Sequence, residues 1–209
     1  KYNANLYEQV AGLLHDVNHG VFSHCLDYVL SSGSGAKQDL QDSLHEEFMK
    51  KSRIPEILTR HGLSLDYLLD DENFSLKEKE LSDLCADRID YSLRGALVSK
   101  EINREQIKNF MDNLIVEDNK WIFTNFEDAM EFSELFLHLN NKYWAGIETG
   151  VMFATVGDCL KYALYKNYIT EDMLFTTDKQ VLDKIIIHLE KDEKLKLFYE
   201  RMNNRVKYR

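Results

Sequence analysis

AGLLHDVNHGVFSHCLD, residues 11–27, decides how the rest of the chain is read. It continues an apolar series in which Leu6, Val10, Leu13, Leu14 and Val17 fall at offsets 0, 4, 7, 8 and 11. That spacing marks one face of an α-helix. Gly20 ends this helix, and a second is expected from about Phe22 to Leu30. The thirteen residues from His15 to Asp27 hold three histidines and two aspartates in an otherwise apolar setting. Burying imidazoles and carboxylates is costly unless something pairs them, and a dication does so. His15 offers a neutral nitrogen and Asp16 a charged oxygen, donor types that suit Fe, Mn or Zn. His19 lies one turn beyond His15 on the same face, and His24 and Asp27 are one turn apart on the next helix. A lone His-Asp dipeptide is more often a surface or capped pair. The density of the whole cluster is what argues for two helix ends meeting around a polar pocket.

Outward from this stretch the chain reads as all-α. Its 209 residues contain one proline, Pro55, and nine glycines, with 44% hydrophobic and 30% charged residues. So few breakers favour helices joined by short turns, and the length is enough for a single domain over 1–209. SSGSGAKQ, residues 31–38, is free of large apolar side chains and reads as a mobile loop. Asp42-Ser43 is expected to open a helix, with Glu46 and Glu47 near its positive end. Helical pattern resumes over 52–70. Ser75 and Glu78 have the spacing of a capping box, predicting a helix through Leu81, Leu84, Cys85, Ile89 and Leu93. Around Asp118-Asn119, two short β-branched and aromatic runs predict a small β-hairpin over 113–124. From Glu127 the pattern is helical again, with Ile147, Val151, Met152, Thr155, Cys159 and Ala163 on one stripe.

Charge and cysteines exclude several classes. The net charge of −10 argues against a nucleic-acid partner, and the basic residues from Arg201 to Arg209 read as a solvated helix end. A small anionic substrate needs local compensation, which a dication and inward Arg or His residues supply. Cys25, Cys85 and Cys159 are far apart and read as reduced core thiols of a cytoplasmic protein. No signal-peptide pattern is seen, and no apolar run approaches the ~18 residues of a membrane span. The chain opens at Lys1 inside a helical pattern, so further residues are expected upstream.

A second segment, DLCADRIDYSLRGA at 83–96, places Asp87, Asp90, Tyr91 and Arg94 at offsets 0, 3, 4 and 7, on one helix face. Alone it would be a surface face laced by ion pairs. The two segments together resemble the HD-domain superfamily, in particular its dGTP and dNTP triphosphohydrolase branch. The residues that carry the resemblance are His15-Asp16-Val17-Asn18-His19-Gly20-Val21-Phe22-Ser23-His24, His45-Glu46, and Asp87-Arg88-Ile89-Asp90-Tyr91-Ser92-Leu93-Arg94. The hairpin region and Asn141-Lys142-Tyr143 extend it over roughly residues 9–187.

The resemblance implies an HD-domain helical bundle and a divalent-metal phosphohydrolase (Fe, Mn, Mg, Zn or Co) that uses metal-activated water on a nucleotide phosphate ester. It implies His15, Asp16 and Asp87 as metal ligands, with an earlier His ligand expected upstream of Lys1. It implies His24, Asp27 and His45 as the acid–base group, Asp27 orienting His24, and His19, Arg88 and Tyr91 as substrate contacts. Asp90 and Arg94 are expected to pair and brace their helix, and His61, His138 and His188 to be structural. A dNTP-type substrate is favoured. A 5′-nucleotidase or phosphodiesterase on the same residues, or a non-catalytic nucleotide or metal sensor, are the alternatives, and a homo-oligomer fits the branch. Asn18 and Val21 depart from the branch as conformational variations. Gly95 stands where the dNTP enzymes place an acid, and Trp144-Ala145-Gly146-Ile147 follow Tyr143 without the expected basic residue.

Overall fold

The computed structural model describes residues 2–79 and 83–203. The helices are α1 (Leu6–Leu14), α2 (Leu40–Lys51), α3 (Ile54–Arg60), α4 (Leu65–Leu69), α5 (Ala86–Val98), α6 (Arg104–Asn113), α7 (Phe126–Leu139), α8 (Ile147–Tyr165), α9 (Asp178–Ile186) and α10 (Glu193–Met202). Strands β1 (Leu114–Glu117) and β2 (Lys120–Phe123) form an antiparallel pair. The fold is all-α with one hairpin, as the breaker-poor composition predicts. Among the described residues no helix is long and apolar enough to cross a membrane. The chain divides into two compact units: Lys1–His15 with Arg53–Gly146, and Asp16–Ser52 with Ile147–Arg209.

In the first unit α1 starts at a reciprocal cap. Asn5 accepts from the Glu8 amide, and the Glu8 carboxylate accepts from the Asn5 amide at 2.7 Å. Ala11 of α1 is buried with Leu58, Leu68 and Phe74. A second apolar cluster joins Ile89 and Leu93 of α5 to Phe110, Leu114 and Phe132. The expected hairpin pairs Leu114 with Phe123 and Glu117 with Lys120. Asp118 and Asn119 both take positive φ, 48° and 57°, the paired left-handed turn that matches strand twist. Beyond α7 the chain widens into a π-helical turn, Asn140–Trp144. Glu101 braces it, accepting from Lys142 Nζ at 2.7 Å, Tyr143 Oη at 2.5 Å and His138 Nε2 at 3.0 Å.

The start of α5 corrects the sequence reading. Ser75 lies in a turn rather than at a helix N-terminus, and α5 begins only at Ala86. The expected member Leu81 lies outside the described residues. A capping box is a local signal, and here longer-range bonds decide the boundary: the Ala86 amide donates to Leu76 O and the Asp87 amide to Lys77 O, at 2.8 and 3.2 Å. Those carbonyls satisfy amides that every helix start leaves without an intrahelical partner.

The second unit is built on α8, where Val156, Cys159, Leu160 and Ala163 are buried with Val21, Cys25, Leu26, Leu40, Leu174, Val181, Ile185 and Leu195. The expected stripe on α8 holds only toward its end. Cys159 and Ala163 are fully buried, whereas Ile147 is 87% exposed. In place of an α-helix over 22–30 there is a 3₁₀ turn, Ser23–Tyr28, entered through Phe22 and Ser23 at φ 55° and 50°. Gly20 is required by close approach: a Cβ there would lie 2.3 Å from Leu26 Cδ1 and 2.6 Å from Leu174 O. The Gly/Ser loop lies against Tyr28, whose hydroxyl donates to Gly35 O at 3.3 Å. Helix α2 opens two residues earlier than expected, at Leu40. The three cysteines are free and buried, and burial pushes the Cys25 and Cys159 thiols up to about 12. Of the basic end, Arg201 lies in α10, and residues 204–209 lie outside the described residues.

Gly20→Ala is expected to lower unfolding stability by about 1–3 kcal/mol through overpacking. Gly12→Ala, at a position in α1 with open space around it, should raise stability by about 0.5–1 kcal/mol. Urea melts of the two variants measure both, and equal effects would defeat the packing argument. Glu101 gives a pH test, since the hydrogen bonds from Lys142 and Tyr143 hold its carboxyl down at about 2. A depressed carboxyl contributes stability above its unfolded value near ~4.3 and loses it as pH falls toward 2. Glu101→Gln should therefore flatten the acid limb of a Tm-against-pH curve between those values.

Candidate metal centre

Helix α1 stops at Leu14, and His15 caps it in helical conformation, φ −58° and ψ −37°. Its Nδ1 donates to Gly12 O at 2.8 Å. A carbonyl only accepts, so the proton sits on Nδ1, and in the neutral ring the lone pair is on Nε2. That nitrogen lies 3.1 Å from Asp87 Oδ1, across 72 positions of sequence. Two lone pairs facing each other repel unless the ring is protonated or a cation is shared. Two donors in adjacent octahedral positions at ~2.1 Å from one ion would sit about 3.0 Å apart. The observed separation, the tautomer and the N/O donor types all fit a divalent cation. Asp16, joined to His15 by one peptide bond, offers a carboxylate of the same hard-oxygen type.

Asp87 is in the first turn of α5, where the helix dipole favours a carboxylate. Arg88, expected at a substrate phosphate, has its guanidinium on the backbone: Nη1 donates to Asp83 O, and Nη2 to Lys79 O at 3.4 Å. Tyr91 is half-buried, its ring 4.9 Å from Trp144 at 80°. Burial pushes the Tyr91 phenol above its ordinary value, against a lowering hydrogen bond from Arg88. Asp90 and Arg94 form the expected exposed ion pair along α5.

The other predicted residues lie in the second unit. His19 places Nε2 3.3 Å from Asp16 Oδ1 and Nδ1 2.8 Å from Ser23 Oγ, and its ring meets His24 edge-on at 5.4 Å. His45 bonds through Nδ1 to Asn18 Oδ1 at 2.9 Å. Asn18 in turn donates through Nδ2 to Gln41 O at 2.5 Å, which fixes the orientation of its amide and puts the His45 proton on Nδ1. Asp27 does not orient His24 as expected. Its Oδ1 accepts from the Leu40 amide at 3.2 Å, and neither Asp27 Oδ2 nor His24 Nδ1 has a hydrogen-bond partner among the described residues. The physical reason is local: the Asp27 carboxylate turns inward, 3% exposed, toward the start of α2.

Three contributors escaped the sequence reading. Asn18 and Gln41 are buried amides that stitch the histidine turn to α2, Gln41 accepting from the Gly20 amide and donating to Ser23 O, both at 3.3 Å. Asp42 is pushed up mainly by partial burial, though its surface faces solvent. His19 and His24 pull it down, and Asp16 and Asp39 push it up. The available signal was spacing, since Gln41 and Asp42 stand four and three residues before His45. Of the outlying histidines, His138 pairs with Glu101, and His188 stacks on Tyr168 at 3.9 Å. His61 lines an apolar groove of about 320 Å³ with Leu13 and Ile57.

No family model matches the chain. The chain is similar to the uncharacterized protein YdhJ of Bacillus subtilis, 32% identical over 200 residues, which cover 93% of this chain and 59% of that protein. It is 36% identical over 115 residues to the metal-dependent phosphohydrolase cns2 of Cordyceps militaris, covering 54% of this chain and 32% of that protein. An uncharacterized Mycoplasma pneumoniae protein is 37% identical over 100 residues, covering 42% of this chain and 23% of its own length. The chain thus spans less than two thirds of the curated relatives it matches.

Titration calorimetry with Mn²⁺ tests the donor set directly. His15→Ala and Asp87→Ala should each weaken binding by at least about tenfold, with helical content unchanged by circular dichroism. Unaltered affinity in both variants would remove the centre.

Proposed function

We propose that the chain is a metal-dependent phosphohydrolase of HD type that acts on a nucleotide phosphate ester, with dNTP triphosphohydrolase-like chemistry. One observation carries the reading: His15 Nε2, in its metal-donating tautomer, stands 3.1 Å from Asp87 Oδ1. The similarity to a protein named as a metal-dependent phosphohydrolase, over 54% of this chain, supports it.

In this reading His15, Asp16 and Asp87 hold a divalent ion, which when bound lowers the pKa of water to about 7 and supplies a nucleophile. His24 is the proton donor to the leaving oxygen in this reading. His45, protonated at Nδ1 by its bond to Asn18, keeps Nε2 as its basic nitrogen. Asp27 anchors the turn that carries His24 by holding the first amide of α2. His19 and Tyr91 are the substrate contacts. Arg88 donates to the carbonyls of Lys79 and Asp83, and reaches a phosphate only by releasing one of them.

The test is an assay with Mn²⁺ of the purified chain against dNTPs, mononucleotides and a cyclic dinucleotide. The His15→Ala/Asp16→Ala double variant should lose turnover, and His24→Ala should lose a factor of about 10²–10⁴ in kcat. Retained turnover in the double variant refutes the reading. Release of tripolyphosphate from dNTPs assigns the dNTP branch, and release of orthophosphate from mononucleotides alone assigns a nucleotidase.

A further inference from the structure

Asp87, Tyr91 and Gly95 succeed one another along one face of α5, each a turn beyond the last. Beside them stands Trp144, at the end of the π-helical turn that Glu101 braces. Its indole meets the Tyr91 ring edge-on at 4.9 Å and is backed by Phe136 at 5.6 Å. Tyr91, Gly95 and Trp144 are all partly open to solvent.

Two features are unexplained by core packing. Glycine inside a helix lowers its stability relative to alanine, yet packing does not demand glycine at position 95. A Cβ there would meet, among the described residues, only Trp144 Cζ2, at an ordinary 3.9 Å. Gly95 therefore leaves a strip open beside the indole. The π-helical turn is the second feature. Such turns are rare and concentrate at functional sites, and this one delivers a large aromatic side chain to the face that carries Asp87.

We propose that Tyr91, Gly95 and Trp144 form a ledge on the Asp87 face of α5 that stacks the nucleobase of the phosphate-ester substrate. The inference rests on the phosphohydrolase reading above and adds to it how the non-reacting part of the substrate is held. Neither the Tyr91 nor the Trp144 side chain offers a carboxylate or amide to read a base edge, and Gly95 has no side chain. Stacking is tolerant of base identity, because every base has a π face. The ledge thus selects for the presence of a base rather than for one base.

The experiment compares adenosine 5′-monophosphate with ribose 5-phosphate, the same phosphate without its base, in the presence of Mn²⁺. In the wild-type protein the nucleotide should quench tryptophan fluorescence and bind more tightly than the sugar phosphate by about 5- to 100-fold. Trp144→Ala, followed by calorimetry, should remove that difference while leaving ribose 5-phosphate affinity unchanged. Gly95→Leu fills the strip and leaves Trp144 in place, so it should do the same in a helix whose packing is otherwise kept. Equal affinities of the two ligands in the wild type, or equal losses for both in the variants, overturn the ledge. Failure of the two ideas is separable. Metal-dependent turnover with the same KM for base-bearing and base-free esters sinks the ledge alone. A base-specific quench without turnover of any ester sinks the hydrolase reading alone.

Discussion

The short hydrogen bond from His15 Nδ1 to the Gly12 carbonyl is the constraint on which the site depends. A histidine with both nitrogens unconstrained is an ambiguous donor, able to present either nitrogen or to titrate. Here the Gly12 carbonyl in the last turn of α1 accepts from the imidazole, which turns back onto it. The ring is thereby locked in orientation and tautomer before any partner arrives, and Nε2 is aimed at Asp87. Preorganisation of this kind is what separates a metal ligand from a surface histidine. The other half of the pair is equally fixed: Asp87 stands in the first turn of α5, whose opening amides are held by the carbonyls of Leu76 and Lys77.

The second unit solves a different problem, that of holding histidines in a turn whose backbone is unfavourable. Phe22 and Ser23 both sit in the left-handed region, which costs an ordinary side chain roughly 1–2 kcal/mol per residue. The surroundings over-determine the turn. The Val21 amide donates to Leu174 O, the Phe22 amide to Asp178 Oδ1, and Gln41 holds both Gly20 and Ser23. Residues far along the chain, on the segment 174–178, thus set the conformation from which Ser23 and His24 project. Strain persisting under such multiple restraint is characteristic of functional turns.

How much of this could be read from sequence follows from the range of each interaction. The hairpin was legible because Asp118-Asn119 is a signal confined to adjacent residues. The Asp90–Arg94 pair was legible because helical spacing alone brings the two together. The meeting of His15 with Asp87 was reached through resemblance, since no local pattern links positions 72 apart. The Ser75–Glu78 box misled because a cap needs free amides to act on, and the amides that open α5 lie further on. Asn18 and Gln41 were invisible for another reason. Buried amides have the same letters as exposed ones, and only packing reveals which they are.

Those amides also bear on the acid–base chemistry. A buried carboxylate in the place of Asn18 would orient His45 equally well, but its charge would hold the imidazole protonated. An amide orients the ring and adds no charge, at a lower desolvation cost than an ion. The carboxylates of this unit are disposed otherwise. Asp27 turns its Oδ1 to a backbone amide, Asp16 lies 3.3 Å from His19, and Asp42 stays at the solvent-facing side. In a chain of net charge −10, acids are plentiful. Asn18 thus fixes the His45 ring through Nδ1 with a neutral partner and leaves Nε2 as the basic nitrogen.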